Sequence, residues 1–385
     1  MMQLITLEQL NFSQPLPCNL YDQKGKVLLR KGSLLDWDDA RTRLCSLKLF
    51  ILPEPAERIS ARDPEKPQPP VTIADPFEEC QHLEARLHTT LQTDDPGEFH
   101  QNMHELVERL ERLVHQHFDL TFAFLVLTQG DNYPTAHQLH AGMVVARLVG
   151  KLPSIKPAHH RGCIQAALTM NIGMMALQSE LVVQQTGLTD AQREAIKRHP
   201  EEGMQRLKKL GVTDPIWLQT VLDHHERPNG SGYPMGTRHV SLEAELVSMA
   251  DIFCAKVSTR GYRRAITPGQ AARDLLLLQG GGAAQQDLAS LLIREVGVYP
   301  PGTFVKLASN ELAIVVRRGL TAVTPTVISI MTHSGMPLSR PIKRDCSAKE
   351  FAVVGVVRRD KIPMHLGPPN GFWDLVSEVE GAQPA

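Results

Sequence analysis

Apolar residues recur at helical spacing from Phe77 to about Val296, and in short runs on either side of that span. Leu83, Leu87 and Leu91 stand four apart, and Met103, Leu106, Leu110 and Leu113 repeat at three and four. Both are the stripe of a helix with one buried face. Breaks at Gly and Pro place candidate helices near 98–117, 135–150, 161–177, 189–209, 214–225, 241–258, 268–278 and 284–296. Before this region, the Gln23-Lys24-Gly25 turn separates two short apolar strands and Gly32 ends the second. Residues 1–55 thus read as a small β-rich domain, with a short helix near Trp37 to Leu47. After Pro300-Pro301-Gly302 the period becomes that of strands, at Phe304–Leu307, Leu312–Val316, Val327–Met331 and Phe351–Val357. Residues 299–360 read as a second small β domain, and 361–385 as a Pro- and Gly-rich tail. Residues 56–76 hold Pro64, Pro67, Pro69, Pro70 and Pro76 among charges with no apolar period, the composition of an extended linker. The expected fold class is mainly α: a helical bundle over 77–298, flanked by small N-terminal and C-terminal β-rich domains.

Composition narrows the function. The chain has 385 residues, 42% of them hydrophobic and 22% charged, an ordinary globular balance with room for a sizeable core. The formal net charge of -1 gives no global electrostatic case for a nucleic acid polymer or an acidic membrane. No apolar run is long enough to span a bilayer, and no secretory leader is visible at the N-terminus. The 6 cysteines are dispersed without a CxxC pair, which suits reduced thiols in a cytoplasmic protein.

The candidate chemistry lies in histidines. His224-His225-Glu226 runs into a glycine-rich turn that ends in Gly230-Ser231-Gly232-Tyr233-Pro234. Adjacent imidazoles suit Zn, Ni, Fe or Mn, and glycines let a backbone approach a ligand closely. Asp251 falls among Leu246, Val247, Met249, Ile252 and Phe253, so it needs a buried partner, either a metal or an ion pair. His199 precedes Pro200 and is either a helix end or a ligand. His137 alone is either a core histidine or a ligand. His159-His160 and the His115/His117 pair read as surface.

The segment from His224 to Pro234 resembles the HHExxDGxGYP signature of the HD-GYP phosphodiesterases, with Asn229 where the family has Asp. Further family motifs follow in order over roughly residues 121–270: the first-helix histidine at His137, AALTMNIGM (Ala166–Met174) for AALLHDIGK, His199-Pro200 with Gly203 for HPxxG, and ADIFCA (Ala250–Ala255) for ADxFDA. The departures are concentrated. Met170-Asn171 stands in place of the HD dyad, and Met174 in place of the lysine that follows it.

The resemblance implies two metal sites. One would use the positions of His137, Met170, Asn171 and Asp251, the other Asn171, His199, His224 and His225. A bridging carboxylate offsets two dications roughly 3.5–4 Å apart. Asn171 has no charge to do so, Met170 is a soft donor that suits these ions poorly, and Met174 offers no cation to a phosphate. The expectation is therefore one divalent transition metal (Zn, Ni, Fe or Mn) on His199, His224 and His225, without a full two-metal centre. Gly232, Tyr233 and Pro234 would shape the nucleotide side, with Tyr233 placed to stack on a guanine. Arg260 and Arg263, together with Arg264, would either meet ligand phosphates or form a solvated helix end. By resemblance the ligand is cyclic di-GMP, and GGDEF-type cyclases are candidate protein partners. The leading expectation is a degenerate member with lost or weak hydrolysis that acts by binding. The alternatives are an active metal-dependent phosphodiesterase producing pGpG or GMP, and a pure scaffold.

Overall fold

The computed structural model describes residues 19–30, 49–51, 75–128, 132–258, 265–277, 283–319, 321 and 323–362, together with the backbone of 3–5. The chain divides into two compact units, Met1–Val71 and Thr72–Ala385. In the first, β1 (Gln3–Ile5), β2 (Leu20–Tyr21), β3 (Val27–Leu29) and β4 (Leu49–Ile51) form an antiparallel sheet in the order β1-β4-β2-β3. Gly25 closes the β2–β3 turn at φ 79°. The helix expected near Trp37 to Leu47, the linker core and the tail beyond 362 lie outside the described residues.

The second unit is mainly α. Its helices are α1 (Pro76–Gln92), α2 (Pro96–Gln116), α3 (Phe118–Leu127), α4 (Tyr133–Leu148), α5 (Pro157–Thr169), α6 (Met175–Val183), α7 (Asp190–Lys209), α8 (Pro215–Asp223), α9 (Leu242–Val257), α10 (Pro268–Leu276) and α11 (Ala283–Val296). Their starts are written in the sequence. Asp75 and Asp214 accept from the first free amides of α1 and α8, each followed by proline at the first helical position. Thr189 and Gln192 form a capping box on α7. Helix α3, missing from the expected set, is FDLTFAFLVL, apolar on every side and buried. A helix enclosed all round has no amphipathic stripe for a periodicity to reveal.

Two expected boundaries fail at the site itself. The single helix expected over 161–177 is α5 and α6, separated by a turn at Met170–Met174. In that turn the Ile172 amide donates to the Thr169 carbonyl and the Met174 amide to the Asn171 carbonyl, each at 3.0 Å. Gly173 makes the turn fit. A Cβ there would sit 2.4 Å from the His199 carbonyl oxygen and 2.6 Å from the Gly203 nitrogen, so only glycine lets the turn touch α7. In addition, α8 stops at Asp223, so His224 and His225 cap and follow the helix instead of lying within it.

A five-stranded antiparallel sheet, ordered β8-β7-β6-β5-β9, completes the unit. It comprises β5 (Phe304–Leu307), β6 (Leu312–Arg317), β7 (Thr326–Met331), β8 (Pro337–Asp345) and β9 (Val353–Val357). Its two faces diverge by strand alternation. Ile314, Val316, Ile328 and Ile330 join the helical core, whereas Val305, Leu307, Ala313, Val315 and Val327 enclose a second small core. Among the described residues no helix is long and apolar enough to cross a membrane.

Candidate metal centre

His199, His224 and His225 converge: each offers a ring nitrogen, and these atoms lie within 4.8 Å of one another. How the first two are aimed follows from the helices that carry them. His199 is in the interior of α7 and fully buried, with Pro200 next to it inside the helix, so the helix-end reading of His199 is wrong. Proline has no amide hydrogen, so the Ile196 carbonyl four residues back loses its helical partner. His199 Nδ1 takes that place, 2.5 Å from the Ile196 oxygen. The end of α8 provides the same arrangement. The last carbonyls of a helix lack intrahelical partners, and His224 Nδ1 lies 2.7 Å from that of Val221.

With both Nδ1 atoms donating to carbonyls, both Nε2 atoms carry lone pairs, and they face each other at 3.2 Å. Two acceptors at that distance repel unless something electrophilic lies between them. Protonation is disfavoured. Burial first, and then the neighbouring His224, depress His199 to about 3; burial likewise lowers His224 and lowers His225 well below its usual value. Neutral, aimed, mutually repelling imidazoles are the donor set of a divalent transition ion, and the carbonyls that fix the ring tautomer are the outer partners such ligands require. The three residues fit a metal, and a metal there would polarise a bound phosphoryl oxygen or water.

The other half of the constellation is different. His137, buried in α4, places Nε2 2.6 Å from Asp251 Oδ1 on α9. Burial alone would raise the Asp251 carboxyl, but the hydrogen bond and charge of His137, together with His225 and His224, outweigh it and hold it well below the usual carboxylate range. Met170 is fully buried in the helical core. Asn171 is buried with Oδ1 unpartnered, and its backbone N–H donates to Gln138 Oε1 at 3.1 Å. Asp251 thus has a buried partner in His137.

The loop after His225 is braced from below. Glu226 is buried, and its Oε1 accepts from the Met235 amide at 2.6 Å and the Gly236 amide at 3.0 Å. Gly232 passes so close that a Cβ would meet the Arg227 nitrogen at 2.5 Å and the His225 oxygen at 2.6 Å. Asn229 serves the loop as an aspartate would, its Oδ1 accepting from the Ser231 amide at 3.0 Å. Tyr233, joined to Pro234 by a cis peptide, stacks on the His225 ring at 4.6 Å between centroids. One face of the tyrosine is thus already covered by a histidine. Arg260, Arg263 and Arg264 lie outside the described residues.

A cavity of about 260 Å³ opens beside this group, lined in part by Asn171, Met174, Gln178, His225, Tyr233 and Lys256. Gln138, Gln178 and Lys256 were not singled out by sequence. The available signals were weak: Gln138 follows His137 in a helix with no exposed stripe, and Lys256 lies five residues beyond Asp251 on the same helix. His159 is not free surface, as its Nδ1 meets Glu243 at 2.7 Å; His160 is half-buried, His117 is half-buried, and His115 is exposed.

The family model described as "HD domain" matches residues 132–281. Over 242 residues the chain is 26% identical to "Cyclic di-GMP phosphodiesterase PA4108" of Pseudomonas aeruginosa, covering 62% of this chain and 58% of that protein. Over 139 residues it is 32% identical to "Cyclic di-GMP phosphodiesterase response regulator RpfG" of Xanthomonas campestris pv. campestris, covering 35% of this chain and 37% of that protein. The chain thus spans less than two thirds of either relative. The solved structure of Bd1817, a HDG"Y"P protein from Bdellovibrio bacteriovorus, superposes with a TM-score of 0.49 at 16% identity, covering 76% of this chain and 100% of that one. Residues 132–281 thus match the HD domain model, and within them the segment His224–Pro234, which resembles the HD-GYP signature, lies on the turn after α8.

Proposed function

We propose that this chain acts in cyclic di-GMP signalling as a binding module with one metal ion and little or no hydrolysis. The observation that carries the reading is the asymmetry of the site. Three neutral imidazoles offer ring nitrogens within 4.8 Å of one another, whereas the other half consists of a His137–Asp251 hydrogen bond, a core methionine and an uncharged Asn171. A two-metal hydrolase needs both ions to stabilise the attacking and leaving oxygens. A single ion on His199, His224 and His225 keeps open positions for a ligand oxygen and so serves recognition. Cyclic di-GMP is the ligand class because the two relatives named above are cyclic di-GMP phosphodiesterases.

Metal analysis of the purified protein tests the reading. The expected content under replete conditions is one ion per chain, lost in His225→Ala. A content near zero, or one indifferent to His225→Ala, removes the basis for it. A second reading, an active phosphodiesterase with an altered metal site, is favoured by the activity named for the relatives. Hydrolysis that disappears in His225→Ala would establish that reading in place of the first.

A further inference from the structure

Met174 stands where the resemblance calls for a lysine, which leaves the cavity without a cation on the α5–α6 turn. A lysine enters it from another helix. Lys256 on α9 lines the same cavity as Met174 and is largely buried, its side chain 22% exposed. Its Nζ pairs with Asp274 Oδ2 on α10 at 3.0 Å, and an ammonium has two further hydrogens to donate. Among the described lining residues Lys256 is the only Lys or Arg, and Asp251, held by His137, is the only carboxylate. Gln178 and Asn171 also line the cavity, and their side-chain oxygens are buried with no hydrogen-bond partner. Such groups carry a desolvation cost that a ligand with N–H or O–H donors removes. The neutral Asn171 also spares an incoming phosphate the repulsion a carboxylate would exert.

We propose that Lys256 and Gln178 are ligand-binding residues of this cavity: Lys256 meets a nucleotide phosphate in place of the missing lysine, and Gln178 accepts from a base or sugar donor. The inference rests on the nucleotide-binding reading above. A cavity of about 260 Å³ lies just under the roughly 300 Å³ of the smallest usual ligand sites, so it takes one nucleotide unit of a cyclic dinucleotide.

Calorimetric titration of the metal-loaded full chain with cyclic di-GMP, and separately with GMP, tests this in the wild type, Lys256→Met, Gln178→Leu and Asp274→Asn. Thermal unfolding is recorded for each. Losing one charge-assisted hydrogen bond predicts at least about a tenfold weaker Kd in Lys256→Met, with a smaller loss in Gln178→Leu. Asp274→Asn removes the ion pair without touching the ligand and is expected to leave the Kd unchanged. Unchanged binding in Lys256→Met, or a loss matched by Asp274→Asn, overturns the inference and leaves the nucleotide reading standing. If Lys256→Met does not fold, wild-type affinity in Gln178→Leu overturns it instead. Lys256-dependent binding of GMP without cyclic di-GMP supports the cavity assignment and overturns the dinucleotide reading. No binding of either nucleotide overturns both.

Discussion

Replacing Pro200 with alanine separates what holds the helix from what aims the ligand. In α7 the proline leaves the Ile196 carbonyl without its helical donor, and His199 Nδ1 takes that oxygen at 2.5 Å. Pro200→Ala restores an amide that competes for the same oxygen. Proline in a helix interior costs about 3 kcal/mol relative to alanine. Against that gain, the buried ring loses two methylenes at about 0.8 kcal/mol each, and the unfolded chain gains freedom equivalent to about 0.4–1 kcal/mol. The metal-free protein should therefore change in stability by no more than about 1 kcal/mol. Metal affinity should not be spared. Disturbing the group that orients a ligating imidazole typically weakens binding about 10–100-fold, or about 1.4–2.8 kcal/mol. Urea unfolding of the metal-free protein reads the first quantity, and competition with a chelator of known affinity reads the second. An unchanged metal affinity in a variant that folds normally would refute the view that the Ile196 carbonyl aims His199. A loss matched by global destabilisation would refute it equally.

Three further perturbations follow from the same geometry. His140 is buried with neither ring nitrogen partnered, and burial first, then His137, depress it to about 3. Because the unfolded imidazole binds a proton near pH 6.5 and the folded one does not, stability is full above that pH and falls as pH drops toward 3, by up to about 1.4 kcal/mol per unit; His140→Leu should flatten this acid limb and raise stability at pH 7 by about 1–3 kcal/mol, as read by urea midpoints across pH. Gly173→Ala drives a Cβ against the α7 backbone at 2.4 Å and should lower stability by about 1–3 kcal/mol or more, with a parallel loss of metal. Met170→His with Asn171→Asp should raise metal content from one ion toward two, because the pair restores a borderline donor and a bridging carboxylate; unchanged content in the folded variant would mean that the turn no longer presents these positions to the site.

Much of the fold was legible because the chemistry repeats. Apolar stripes and breaks at Gly and Pro marked most helices, and apolar runs marked four of the five strands of the second sheet; β8 (Pro337–Asp345), mostly exposed along its length, carries no such run. The failures have physical causes. Helix α3 is apolar on every side and shows no stripe. The break at Met170–Met174 arises from a contact of Gly173 with α7, which is distant in sequence. At the site, the histidines carry their own signature, and the structure brings His199, His224 and His225 together. The partners that aim them are backbone carbonyls of Ile196 and Val221, which no side-chain pattern can announce. Proline after His199 was informative, though in a different sense from a helix terminator: it frees the carbonyl that orients the imidazole. The His137–Asp251 bond joins residues far apart in the chain, and Lys256 enters the cavity from a helix whose motif points to Asp251.

Cyclic di-GMP turnover by the metal-loaded chain, with the products separated by chromatography and His225→Ala as control, tests the central claim most directly. The account predicts that the folded protein, carrying one ion, returns the nucleotide intact. Formation of pGpG or GMP that vanishes in His225→Ala would contradict it, since three imidazoles and one ion would then suffice for the hydrolysis.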